Sequence, residues 1–191
     1  LHLLYSFFRT LEGIGVFQLV LEANGYARFK IKQVAGTWKL DIKPEDRGKP
    51  MYALYTGTEQ PEEKEIIRNV YNSSWEYVPT TITEELKKIS ANNFYGEVIK
   101  LLMITASGAE GINLFNVRYV HIMDPYWHPA RIEQIIGRAR RICSHQNLPE
   151  ELRTVEAYIY LMVLSDEQMS SDDALELRNQ DRSKIDNLTP I

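Results

Sequence analysis

The sequence lacks several features that mark particular classes of protein. Its 191 residues contain one cysteine, Cys143, which excludes a disulfide within the chain and a zinc site built on cysteines. No apolar run approaches the roughly 18–20 residues that cross a membrane, and no signal peptide is recognisable. We therefore expect an intracellular protein with no membrane partner.

An excess of positive charge is also absent. Lysine and arginine total 22 against 26 aspartates and glutamates, for a net charge of −4, so any contact with nucleic acid must come from a local basic patch. The 44% of hydrophobic residues is ordinary for a globular domain with one sizeable core. The chain opens on Leu1 inside an apolar run, without an initiator methionine, and we interpret it as part of a longer polypeptide.

Short apolar runs alternate with helix signals along the chain. Strands are predicted over residues 3–8, 51–55, 100–105, 119–123 and 156–164, with a further candidate at 26–34. Helices are predicted from a Thr10 cap to residue 24, from Pro61, from a Thr83 cap to residue 89, and from Pro129. Residues 35–50 are predicted to form a polar insertion or long loop, and residues 165–191 a polar tail or loose helix.

This alternation predicts an α/β fold with a mostly parallel sheet and helices on both faces. In such a sheet, ligands bind at the carboxyl ends of the strands. Polar residues follow the apolar runs at Ser6, Thr56, Thr105 and Asp124, and we expect them to share one edge.

The helix after Pro129 carries the most specific pattern. At about 100° per residue, Arg131, Arg138 and Arg141 fall within about 60° of Gln134, whereas Arg140 points elsewhere. The side chains predicted to face the sheet are Ile132, Ile135, Ile136 and Ala139. One interpretation is a solvated basic face, and the other is a phosphate-binding face, because the planar guanidinium fork suits phosphate oxygens.

Gly137 favours the second interpretation, because a glycine inside a helix costs about 1 kcal/mol relative to alanine and usually has a packing or functional reason. The histidines show no metal-ligand spacing, so no metal ligand is predicted, and Cys143 is interpreted as a passive residue.

These residues resemble the motifs of superfamily 2 helicases over residues 1–164. Gln134, Gly137, Arg138 and Arg141 resemble motif VI, residues 105–114 motif V, residues 4–8 motif IV, and residues 55–57 the turn between IV and V. Residues 111–114, together with Asp124-Pro-Tyr-Trp-His-Pro129, are similar to the Snf2-related branch. Residues 136–141 with Ser144-His145 and Leu148-Pro149 are similar to helicases of large nucleocytoplasmic DNA viruses.

The resemblance implies the second RecA-like lobe, a three-layer sandwich, spanning residues 1–164. ATP would lie between two lobes, with its phosphates and Mg²⁺ bound mainly by a first lobe. Arg138 and Arg141 would be arginine fingers, and Gln134 would orient water or contact the γ-phosphate. The residues implied near the nucleotide are Gly108, Glu110, Gly111, Asn113 and Gly137. Those implied at the nucleic acid are Thr105 foremost, then Ser6, Thr56, Gly57 and Ser107.

The chain departs from a complete motor. It contains no Gly-x-x-x-x-Gly-Lys-Ser/Thr phosphate loop, and its acidic pair Asp166-Glu167 follows motif VI, so we interpret that pair as a strand exit. We therefore expect the isolated chain not to hydrolyse ATP.

The full-length protein is expected to be an ATP-dependent helicase or translocase in viral transcription or genome processing, acting on DNA rather than RNA. Its expected partners are its own first lobe and transcription machinery, in the host cytoplasm or nucleus and in the virion. The alternatives are a non-catalytic scaffold or interaction module in a viral nucleic-acid assembly, and a plain nucleotide-binding α/β domain, which the missing phosphate loop disfavours.

Overall fold

A computed structural model describes residues 1–10, 13–106, 111–125, 128–161, 163 and 165–167. Its strands are β1 (His2–Tyr5), β2 (Ala27–Arg28), β3 (Ile31–Val34), β4 (Thr37–Leu40), β5 (Met51–Tyr55), β6 (Leu101–Ile104), β7 (Tyr119–Ile122) and β8 (Glu156–Ile159). Its α-helices are α1 (Ile14–Ala23), α2 (Pro61–Tyr71), α3 (Thr80–Lys87) and α4 (Pro129–Ala139). None of these helices is long and apolar enough to cross a bilayer.

The main sheet contains six of these strands in the order β2-β5-β6-β1-β7-β8, and every neighbouring pair is parallel. The register places Tyr5 opposite both Ile104 and Ile122, and Tyr55 opposite Ile104. Four central strands therefore end at nearly the same level. Their carboxyl ends form a single edge, which we call the carboxyl edge.

Helices cover both faces of the sheet. Leu3 and Tyr5 of β1 pack into the larger core, with α2, α3 and α4. Leu4 of the same strand packs into the smaller core on the opposite face, with α1. Because both of their faces are buried, the central strands β1, β5 and β6 are continuous apolar runs and do not alternate. The predicted three-layer α/β class is confirmed.

The predictions for α2 and α3 had different outcomes. Helix α2 begins at Pro61 and buries Ile66, Ile67 and Val70, as predicted. Helix α3 begins at Thr80, so the prediction that Thr83 caps it is wrong. The Thr83 hydroxyl lies inside the helix and donates back to the preceding turn, with the Val78 carbonyl oxygen at 3.2 Å.

Both elements around the first loop are shorter than predicted. Strand β1 ends at Tyr5 and not at residue 8, because the Phe7 N–H donates to the Asp124 carboxylate and not to a neighbouring strand. Helix α1 begins at Ile14 and not after Thr10, whose carbonyl oxygen accepts the N–H groups of Gly13 and Gly15.

The candidate strand at residues 26–34 divides into two elements. Strand β2 joins the main sheet, whereas β3 pairs with β4 in a separate antiparallel hairpin. The prediction of a loop over residues 35–50 is therefore wrong for Thr37–Leu40. Ala35 and Gly36 have positive φ angles of 50° and 77°, the signature of a type I′ turn that joins twisted strands.

The last strand differs from its prediction as well. Strand β8 ends at Ile159, before residue 164, and its four residues are exposed at the edge of the sheet.

Candidate functional site

The carboxyl edge gathers the polar residues that follow the strands. Ser6, Thr56 and Thr105 come directly after β1, β5 and β6, and Asp124 comes two residues after β7. Ser6, Thr56 and Thr105 are buried. Because the strands are parallel and in register, these residues share one edge, as expected.

Ser6 and Asp124 close the loop after β1. The Ser6 Oγ lies 2.5 Å from the Asp124 carboxylate, and the Phe7 N–H donates to the same oxygen at 2.9 Å. The Phe8 N–H donates to the Ser6 Oγ at 3.1 Å. Since the Ser6 hydroxyl is fully buried and engaged within the lobe, it shapes this loop. Its contact with nucleic acid stays a prediction.

Thr56 occupies the equivalent position after β5. Its N–H and hydroxyl donate to the Glu59 carboxylate at 2.6 and 2.8 Å. Burial raises the pKa of Glu59, but these hydrogen bonds outweigh burial and leave the pKa of Glu59 below its ordinary value. Gly57 and Thr58 at the tip of the turn are exposed.

Two cationic side chains that the sequence analysis missed reach this turn. The Arg9 Nε donates to the Thr56 hydroxyl at 3.1 Å, and the Lys64 Nζ donates to the Thr56 carbonyl oxygen at 3.3 Å. The Lys64 ammonium also lies 5.2 Å from the centroid of the Tyr55 ring. Only the fold brings these side chains, from a loop and from α2, to the same turn, and no local sequence signal could have found them.

Three predicted site residues lie outside the described residues, namely Gly108 and Glu110 of the nucleotide site and Ser107 of the nucleic-acid site. Gly111 is exposed and has a positive φ of 70°, a conformation that glycine adopts without steric cost. The Asn113 carbonyl oxygen accepts a hydrogen bond from the Asn72 side chain at 2.9 Å, and the Phe115 N–H donates to the Asn72 Oδ1 at 3.0 Å. Asn72, at the end of α2, thus fixes this loop.

Helix α4 has the apolar face that the sequence predicts. Pro129 is its first residue, and the His128 Nδ1 caps it by accepting the Ala130 N–H at 3.3 Å. The side chains that pack toward the sheet are Ile132, Ile135, Ile136 and Ala139.

The polar side of α4 holds the predicted catalytic residues. Gln134 is exposed and Arg138 is half-buried. A Cβ on Gly137 would meet no described atom within 4 Å, so this side of the helix is open in the described part of the chain. Arg131 lies nearer the start of the helix, with its guanidinium carbon 5.5 Å from the centroid of the Phe7 ring.

The helical position predicted for Arg141 is wrong. Helix α4 ends at Ala139, and Arg140 leaves it with a φ of −98° and a ψ of 75°. The angular relation between Arg141 and Gln134 therefore does not hold. Instead, a turn in which the Ser144 N–H donates to the Arg141 carbonyl oxygen at 3.1 Å positions Arg141.

The arginines at this end of α4 have no acidic counterpart within the described residues. No ion pair there includes Arg138, Arg140 or Arg141. In the same part of the chain, no three side chains of His, Cys, Asp or Glu are grouped to hold a metal ion. The arrangement offers guanidinium donors to an anion that the described residues do not supply.

Comparisons with known proteins give a consistent result. The family model described as helicase conserved C-terminal domain matches residues 38–143. The chain is 34% identical over 171 residues to the Acanthamoeba polyphaga mimivirus protein named "Putative ATP-dependent RNA helicase R563", which covers 90% of this chain. It is 32% identical over 145 residues to a protein of African swine fever virus named "Termination factor NPH-I homolog", which covers 70% of this chain.

The chain corresponds to only part of these relatives, spanning 25% of the mimivirus protein and 18% of the African swine fever virus protein. Among solved structures, it is similar to the C-terminal part of the Fun30 ATPase domain, with 16% identity and a TM-score of 0.48. That likeness covers 83% of this chain and 34% of the solved one.

Proposed function

Because this chain belongs to the helicase conserved C-terminal domain family, we propose that it is the second RecA-like lobe of an ATP-dependent helicase or translocase. A first lobe in the same polypeptide would bind the ATP phosphates and Mg²⁺. The described residues are suited to contribute to phosphate binding, since they include exposed arginines. They fit Mg²⁺ poorly, since they present no cluster of carboxylates at the end of α4.

The observation that carries this proposal is the end of α4. Arg138 and Arg141 lie close in sequence on an open surface with no ion pair in the described part of the chain. A guanidinium that faces a transferred phosphoryl group stabilises the charge that develops on it. We therefore assign the arginine-finger role to both residues, and water orientation or γ-phosphate contact to the exposed Gln134.

Glycines and the loop after β6 would complete the nucleotide-binding site. Gly137 leaves room beside Arg138 for close approach of a phosphate or of the first lobe. Gly111 and Asn113 lie in the loop that Asn72 fixes, in keeping with a role near the ribose or in coupling. The roles of Gly108 and Glu110 rest on the motif resemblance.

The carboxyl edge would bind the nucleic-acid backbone. The exposed Gly57 is the direct candidate, joined by Arg9 and Lys64, whose side chains converge on the Thr56 turn, and Thr105, which is buried, is kept on the motif resemblance. Ser6 and Thr56 would act mainly by holding their loops in shape, and Ser107 is kept on sequence grounds. Backbone contacts of this kind predict binding that tolerates any sequence and weakens with salt.

We favour DNA over RNA because residues 111–114 and 124–129 resemble the Snf2-related branch. A role in viral transcription or genome processing is supported by the resemblance to viral relatives, one of which is named a termination factor. In that role the protein would work with transcription machinery in the infected cell, in the cytoplasm or nucleus.

The decisive experiment uses the two-lobed polypeptide with Arg138→Lys and Arg141→Lys. Lysine keeps the charge but loses the planar fork, so nucleic-acid-stimulated ATP turnover should fall by about 10³ or more. The dissociation constant for ATP, measured by equilibrium binding, should stay within about twofold. Arg140→Lys is the matched control and should turn over normally, because the finger role is assigned to Arg138 and Arg141 and not to Arg140. The isolated 191-residue chain should show no turnover.

Three results would contradict the proposal. Persistent turnover in both lysine variants would remove the finger assignment. A wild-type two-lobed protein that binds nucleic acid but never hydrolyses ATP would favour the scaffold alternative. Stimulation by RNA but not by duplex or single-stranded DNA of equal length would reverse the choice of DNA.

A further inference from the structure

A buried polar pair, Ser144 and His145, follows residues 138–141, which we call the arginine segment. Their exposed fractions are 2% and 9%, although both residues are polar and lie in a surface turn. The Ser144 Oγ and the His145 Nδ1 are 2.7 Å apart. Buried polar side chains carry a desolvation cost that hydrogen bonds must offset, so their bonds show what the pair holds together.

One set of bonds fixes the arginine segment. The Ser144 Oγ lies 3.1 Å from the Ala139 carbonyl oxygen and 2.9 Å from the Arg141 carbonyl oxygen. It also accepts the Arg141 N–H at 3.4 Å. The Ser144 hydroxyl carries one proton and donates to one acceptor at a time, but it lies within hydrogen-bond distance of both Ala139, the last residue of α4, and Arg141.

A second set of bonds reaches the loop before β7. The His145 Nε2 lies 2.7 Å from the Val117 carbonyl oxygen, which can only accept, so Nε2 carries a proton and donates it. The Asn116 N–H donates to the Ser144 carbonyl oxygen at 2.8 Å. The pair thus joins Arg141 to the segment 111–118, the segment that Asn72 holds on its other side.

The turn itself is under backbone strain. Cys143, in this turn, has a φ of 64°, and Asn116, in the loop before β7, has a φ of 59°. Both values lie in the left-handed region. Asparagine tolerates that region, but cysteine rarely occupies it. Such a conformation persists only where surrounding bonds over-determine it, and it is found where geometry serves function. The bonds of Ser144 and His145 provide that constraint beside Arg141.

We infer that Ser144 and His145 are positioning residues that link Arg141 to the segment 111–118, which follows the nucleic-acid candidate Thr105 in the chain, so that nucleic-acid contact at Thr105 and the arginine finger move together. This inference rests on the proposed function. Neither side chain touches nucleotide or nucleic acid in this role. They transmit position through the backbone at Arg141, Asn116 and Val117. Loss of the link should leave ATP binding intact but uncouple hydrolysis from nucleic acid.

The test compares two substitutions of His145 in the two-lobed polypeptide. His145→Gln places an amide nitrogen near the Nε2 position and can still donate to Val117, whereas His145→Asn places its amide near Nδ1 and cannot reach Val117. We expect His145→Asn to lower the stimulation of ATP turnover by nucleic acid about tenfold. His145→Gln should retain most of the stimulation. Basal turnover and ATP affinity should change by less than about twofold in both.

Ser144→Ala provides a second, milder variant, because it removes one oxygen atom and leaves almost no cavity. Its stimulation should also fall severalfold. Thr83→Val is the matched structural control, since Thr83 likewise donates a hydroxyl to backbone carbonyls, at 3.2 Å to Val78, but lies on α3. Thermal unfolding of all four variants shows whether stimulation follows stability.

Two outcomes would overturn the inference. One is normal stimulation in both His145→Asn and Ser144→Ala. The other is a loss of stimulation that simply follows the melting temperature, Thr83→Val included. These outcomes are separate from failure of the proposed function. If Arg138→Lys is inactive but His145→Asn is stimulated normally, only the proposed link is wrong. If Arg138→Lys is active, both the finger assignment and the link are wrong.

Discussion

The start of α1 and the end of α4 both carry a glycine, yet the two glycines lie in opposite surroundings. A Cβ on Gly13 would overlap the Phe8 carbonyl oxygen and the Ser6 Oγ. A Cβ on Gly137 would meet no described atom within 4 Å. The first glycine allows close packing inside the lobe, and the second leaves space on its surface.

The polar groups of the two regions differ in the same way. Near α1, Ser6 and the N–H of Phe7 both bond to Asp124, so the lobe satisfies its own donors. At the end of α4, Arg138 and Arg141 make no ion pair among the described residues. Substitutions near α1 should therefore change stability, and substitutions near the end of α4 should change turnover.

The largest stability effect is expected from Gly13→Ala. The added methyl group would overlap two oxygen atoms that cannot move without breaking the Ser6–Asp124 loop, so the free energy of unfolding should fall by about 3 kcal/mol. Urea denaturation of the 191-residue chain measures this change through its midpoint. A loss smaller than about 0.5 kcal/mol would show that the loop after β1 is not closed as described.

Gly137→Ala should have a smaller effect of the opposite sign. Alanine is the better helix former by about 1 kcal/mol, and the site has room for its methyl group, so the free energy of unfolding should rise by up to that amount. In the two-lobed protein the same substitution should lower turnover if a phosphate or the first lobe approaches Gly137 closely. A variant that is both more stable and fully active would leave Gly137 without a functional reason.

The smallest effect is expected at the Thr56 turn. Because the pKa of Glu59 is lowered in the folded protein, the unfolded chain takes up the proton first as the pH falls. The stabilisation by Glu59 is therefore complete above its ordinary pKa of 4.5, and is lost as the pH falls through the lowered value. Glu59 is partly exposed, which limits the contribution to a few tenths of a kcal/mol.

Glu59→Gln measures that contribution directly. The difference in free energy of unfolding between wild type and Glu59→Gln should be largest at pH 7 and should shrink toward pH 3. In the Thr56→Val background, which lacks the hydroxyl donor at 2.8 Å but keeps the Thr56 N–H donor, this pH dependence should become smaller. A difference that grows on acidification would mean that the carboxylate is not stabilised by the turn.

Local patterns were enough for a large part of the fold. The helix-favouring Pro61 and the spacing of Ile66, Ile67 and Val70 are contained in one short segment, and α2 follows them. The apolar face of α4 is of the same kind, because periodicity reports which side of a helix is buried. The strand end before Thr56 also followed from local pattern, since the apolar run over residues 51–55 stops where β5 ends.

The incorrect predictions involve competition between local and distant partners. Thr83 is a residue type that often caps helices, but it lies inside α3, and its hydroxyl donates to the carbonyl oxygen of Val78 in the preceding turn. Thr37–Leu40 looks like a polar loop until Ile31–Val34 pairs with it. Arg141 continues the helical spacing of Arg138, but bonds from Ser144 end the regular geometry first.

The sequence by itself determined the class of the fold and the family, because alternating apolar runs and the Gln134-Gly137-Arg138-Arg141 spacing are local properties of the chain. Only the tertiary structure decided which polar groups are engaged within the lobe and which are available to a partner. Arg9 reaches Thr56 across 47 positions, and His145 reaches Val117 across 28. Contacts between residues so distant in sequence depend on how the strands and helices pack, and no local pattern encodes that packing.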